Sequence, residues 1–144
     1  MKYLFFLIFA LVHLALVISS PEGPAKLKYL KIYGLAIVAT FLMAVLVMFA
    51  IKLSGAYPSA QTKAFFFAVL MSILAVLLAN SMVVIGNYMI ELLLNHHRGN
   101  GIPAAEQAQV RFVARNRQMI SYVLKGIFLL ATLWGLYGLW FGKK

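Results

Sequence analysis

The chain has 144 residues, 64% of them hydrophobic and 11% charged, and a formal net charge of +10 from 13 Lys and Arg against three acidic residues. Soluble domains run nearer ~45–50% apolar and ~25% charged, so a water-soluble core is excluded at this length and lipid is the expected solvent. The absence of Cys removes disulfides, thiolate chemistry, iron–sulfur clusters and Cys-based zinc sites.

The basic residues are divided among short segments, which argues against nucleic acid and for anionic headgroups, at ~1 kcal/mol per residue near the surface. Apolar runs without alternation predict helices, because a bilayer offers the backbone no water to bond. The expected fold class is all-α. A single domain over residues 1–144 forms an integral membrane bundle of four transmembrane helices, with one basic helical loop between the third and fourth.

The first run, Tyr3–Ser19, follows one Lys and ends in small residues, as a secretory signal does. It is longer than the ~7–15-residue core of such a signal, so a retained first span is expected. Pro21, Gly23 and Pro24 then break the helix, and Lys26, Lys28 and Lys31 mark the next interface. The second span, Ile32–Ile51, holds Thr40 and no charge. Gly55 and Pro58 predict a tight turn before the third run.

That third run, Ala64–Leu94, is too long for a ~30 Å hydrocarbon core at ~1.5 Å per residue. Either it tilts or its C-terminal part projects. Asn80, Asn87 and Glu91 fall within about 40° of one another on a helical wheel. Such a polar stripe is expected to face protein or water rather than lipid. Phe65, Phe66 and Phe67, which open the run, and the seven Met of the chain read as lipid-facing bulk and packing filler.

The third loop turns at Gly99, Gly101 and Pro103. It continues as an expected helix, with Pro103 and Glu106 suited to its N-terminus. Arg111, Arg115 and Arg117 are candidates for anionic headgroup contacts. The fourth span is Met119–Phe141. Its Ser121, Lys125 and Thr132 share a face, and Lys125 is the expected ion-pair partner of Glu91.

The end of the fourth span places Trp134, Tyr137 and Trp140 beside Lys143 and Lys144, an interfacial anchor pattern. Gly135, Gly138 and Gly142 have the small-residue spacing of close helix packing, within the bundle or between subunits. His13, His96 and His97 are the candidate cofactor ligands, as an axial pair on a b-type haem. No metal site is expected, since zinc takes three or four ligands and no carboxylate completes such a set.

The favoured function is a non-enzymatic accessory or scaffold subunit of a larger membrane complex, with a membrane-protein partner or a homo-oligomeric state. The alternatives are a small oligomeric channel or carrier built on the polar stripe, and a haem-bearing subunit. An enzyme is not expected, because neither a carboxylate pair nor a nucleophile–base pair is visible. The Lys and Arg balance places loops one and three in the cytoplasm.

Overall fold

The computed structural model describes residues 1–20, 26–55, 58–99 and 104–142. Its regular structure is all α-helical: α1 (Lys2–Ile18), α2 (Lys26–Leu53), α3 (Ala60–Gly99), α4 (Ala104–Arg115) and α5 (Arg117–Phe141). Three of these, α2, α3 and α5, are long and apolar enough to cross a membrane, and α1 is a shorter apolar helix of 17 residues.

Each boundary has a local cause. At the end of α1 the Ser19 hydroxyl bonds back to the Leu16 carbonyl, and the Ser20 N–H closes a turn on Val17. After α2 the chain turns at Gly55, whose φ of 65° is cheap for a residue without Cβ. Ser59 then caps α3, its Oγ accepting from the Thr62 N–H at 3.2 Å. Between α4 and α5 the helix is broken by a turn at Asn116 alone. The backbone bonds Asn116 N–H to Phe112 O and Ile120 N–H to Asn116 O carry the ladder across the break.

The packing is not that of a closed four-helix bundle. Among the described elements, α1, α3 and α5 touch one another, whereas α2 touches α3 alone. The reason lies in composition. The core-facing stripes of the other helices carry polar groups that must be covered: His13 on α1, Ser72, Asn80 and Asn87 on α3, and Ser121, Lys125 and Thr132 on α5. In the span of α2 the Thr40 hydroxyl bonds its own Ala36 carbonyl at 2.7 Å, and Tyr33 alone among its described residues is buried. A helix that is apolar all round has no preferred face to bury.

Three contacts fix α3 and α5 as antiparallel: Ser72 with Trp140, Gly86 beside Leu124, and Glu91 with Arg117. Helix α1 lies in the angle between them, parallel to α3. Phe5 meets Phe65 and Trp140 at one end, His13 meets Asn80 further along, and Ser20 meets Lys125 at the other end. Because α2 and α3 are joined at one end by a short turn and have 28 and 40 residues, α3 overshoots α2 by about 18 Å. Helix α4 packs on α3, and Met89, Leu92 and Leu93 of the extra length stay exposed.

Candidate functional site: a polar column between three helices

The first end of the bundle is aromatic. Phe5, Phe9 and Phe65 surround the Trp140 indole, with centroid separations of 5.8, 6.3 and 5.9 Å. The indole N–H donates to Ser72 Oγ at 3.0 Å, and that hydroxyl donates to the Ala68 carbonyl at 2.7 Å. Trp140 is therefore core, against the expectation of an interfacial anchor, while Trp134 is 82% exposed. Six residues turn an α-helix by about 240°, so the two indoles cannot share a face. Lys143 and Lys144 lie outside the described residues. Phe65 is likewise part of the core cluster rather than lipid-facing bulk, while Phe66 and Phe67 are exposed.

His13 sits in the middle with no exposed surface. Asn80 Nδ2 contacts its Nδ1 at 3.2 Å and donates to the Val76 carbonyl at 2.7 Å. An amide nitrogen only donates, so Nδ1 accepts and the ring proton resides on Nε2. The Phe128 backbone of α5 lies beside the ring. His13 Nε2 and Asn80 Oδ1 have no hydrogen-bond partner among the described residues. One histidine thus joins α1, α3 and α5 through a single side-chain hydrogen bond and close packing.

The histidines are not brought together. His96 is exposed on α3, 16 residues beyond Asn80 and so about 24 Å along the axis. The side chain of His97 lies outside what the structure describes. A haem held between His13 and His96 does not fit this geometry, and His13 itself is enclosed by three helices. Among the described residues no group of three or more His, Cys, Asp or Glu could hold a metal.

The rest of the stripe is used within the chain. Asn80 and Asn87 are buried, and Glu91 forms an ion pair with Arg117. The expected partner, Lys125, is elsewhere: its Nζ donates to the Ser20 carbonyl at 3.4 Å, at the end of α1. The α3–α5 register explains the exchange. Lys125 comes level with Ile85, about 9 Å short of Glu91, whereas Arg117 stands directly opposite. Arg117 is 43% exposed in its side chain and Glu91 24%, so the pair is worth ~0–1 kcal/mol. Glu91→Gln is expected to cost no more than that in chemical denaturation of the purified protein. A larger loss would show that the pair holds the hairpin.

Of the arginines expected at headgroups, Arg111 and Arg115 are exposed on α4, and Arg117 is shared with Glu91. Of the glycines expected to pack, Gly135 and Gly138 have open space where a Cβ would stand. They do not serve contacts inside the chain. The close approach is at Gly86, where an added Cβ would lie 2.8 Å from Leu124 Cδ1. Gly86 precedes the stripe residue Asn87 and has no small residue four positions away, so spacing rules did not single it out.

No family model, characterised protein or solved structure matches the chain.

Proposed function

We propose that the chain is a multi-pass membrane protein of four spans, α1 being the short one, that acts as a non-catalytic accessory or scaffold subunit. In this reading loops one and three face the cytoplasm, and the far end of α3 with α4 projects from the bilayer there. The observation that carries it is on that projection. Met89, Leu92 and Leu93 on α3 and Phe112 on α4 are exposed, in the part of the hairpin that outreaches α2. Lipid covers apolar side chains within the membrane, but beyond it such side chains mark a contact for protein.

The polar column supports the non-catalytic reading. Its His13, Asn80 and Asn87 are buried between helices, as interhelical glue is. An oligomeric channel is the weaker proposal, since Asn80 and Asn87 are buried inside one chain. It would require Glu91→Gln to abolish a measurable flux.

The test is photo-crosslinking in cells, with a photoreactive residue at Leu93 or Phe112 and a control at Phe41 on exposed α2. The expected result is one stoichiometric protein adduct from the two projection sites, lost in Leu92→Glu, and only lipid adducts from the control. Lipid adducts from all three sites would show the projection submerged and overturn the reading. A self-adduct would replace the accessory subunit with a homo-oligomer.

A further inference from the structure

Where α1 ends, a cleft of about 460 Å³ opens between α1 and α5, lined by Val17, Ile18, Ser20, Tyr122, Lys125, Gly126 and Leu129. Its polar end holds Lys125, which is 9% exposed, and Ser20, which is 6% exposed and whose hydroxyl has no hydrogen-bond partner among the described residues. A second buried hydroxyl in the same condition, that of Ser121, lies one turn before Lys125 on α5. The remaining lining residues are apolar apart from Tyr122.

A cation at this place has one evident structural use. The last carbonyls of α1 carry the negative end of its dipole, and Lys125 donates to the Ser20 carbonyl just beyond them. That accounts for the charge. It does not account for the open volume beside it, for the Ser20 hydroxyl, which has no acceptor among the described residues, or for Gly126, where an added Cβ would meet nothing within 4 Å. A phosphodiester fits such a place: its oxygens can accept from the Ser20 hydroxyl and share the already partnered Lys125 ammonium.

We propose that the cleft binds one anionic phospholipid, its phosphate on Lys125 and Ser20 and the start of an acyl chain along Val17, Ile18 and Leu129. The proposal rests on the membrane reading above. Depth favours a lipid over a soluble phosphate, because the cleft sits where apolar α1 stops and α2 begins. The preference for a net negative headgroup comes from Lys125, the cation at the polar end of the cleft. Each basic residue near a membrane surface adds ~1 kcal/mol of attraction to anionic lipid.

The experiment is native mass spectrometry of the full chain released from nanodiscs of mixed phosphatidylglycerol and phosphatidylcholine. Alkaline carbonate extraction of the source membranes is run alongside. Wild type is expected to stay with the membrane pellet and to retain one phosphatidylglycerol in preference to phosphatidylcholine. Lys125→Gln and Gly126→Leu should each lower that retention by about tenfold, ~1.4 kcal/mol.

Gly126→Leu fills the cleft without touching the core, so it decides the matter if Lys125→Gln fails to fold. Equal retention of the two lipids, or wild-type retention in Gly126→Leu, overturns the lipid site and leaves the membrane reading intact. Displacement of the bound lipid by glycerol phosphate would make it a soluble phosphate site and overturn the lipid proposal. Release of wild type by carbonate would overturn both.

Discussion

Gly86→Leu is expected to force α3 and α5 apart and to lower stability markedly. The position has no spare room: even a bare Cβ would stand 2.8 Å from Leu124 Cδ1 and 3.0 Å from Cδ2. Leu124 can turn away from a methyl group, but not from an isobutyl group on the facing helix. Overpacking of this kind costs ~1–3 kcal/mol and occasionally more, which lowers a melting midpoint by roughly 2–12 °C. The measurement is thermal unfolding in detergent beside Gly135→Leu and Gly138→Leu. Those two have open space within the chain and are expected to stay within about 0.5 kcal/mol of wild type. Equal losses at all three positions would mean that α5 presents a different face to α3. A loss at Gly135 or Gly138 confined to the native assembly would identify that glycine face as a subunit contact.

The second large effect is at the centre of the column, where Asn80→Leu should destabilise and His13→Leu added to it should restore. Removing Asn80 alone strips His13 Nδ1 of its donor in a site with no water-accessible surface. A buried polar group left unpaired costs ~1–3 kcal/mol, whereas replacing both partners by apolar side chains can be nearly neutral. The double substitution also removes His13 Nε2 and Asn80 Oδ1, the two atoms that have no partner among the described residues. A double-mutant cycle by chemical denaturation is therefore expected to give a coupling of ~0.5–3 kcal/mol, with the double variant more stable than Asn80→Leu. A double variant that folds and keeps its partner would establish the column as glue. A double variant that folds as well as wild type but loses biological activity would show that His13 does chemistry, and would overturn the non-catalytic reading.

Much of the fold is legible without coordinates. Helical content follows from long apolar runs, and the excess length of α3 follows from counting residues against the thickness of a bilayer. The faces of α3 and α5 are legible too. Asn80 and Asn87 share a stripe because seven residues make almost two helical turns, and Ser121, Lys125 and Thr132 share another; both stripes are buried.

Pairing across helices is not legible in the same way. Glu91 selects Arg117 over Lys125 because the hydrogen-bond ladder runs through Asn116 from α4 into α5 and brings Arg117, not Lys125, opposite Glu91. His13 selects Asn80 rather than a second histidine because α1 lies parallel to α3 from Phe5 onward. Trp140 carries two sequence signals, an aromatic at the end of a span and a residue on the Thr132–Leu136 face, and the second prevails because Ser72 accepts its N–H.

The sequence by itself determined that the chain is suited to an apolar solvent, the number and approximate ends of its apolar helices, and the polar faces of α3 and α5. These are properties of single segments, set by side-chain transfer energies and the period of the helix. Only the tertiary structure decided that α2 stands outside the core on α3, that Gly86 rather than Gly135 or Gly138 is the glycine packed against a facing helix, and that Lys125 closes the end of α1 beside an open cleft. Those depend on the relative depth of helices far apart in the chain. A shift of one turn, ~5.4 Å, changes every partner while leaving the pattern of each segment unaltered.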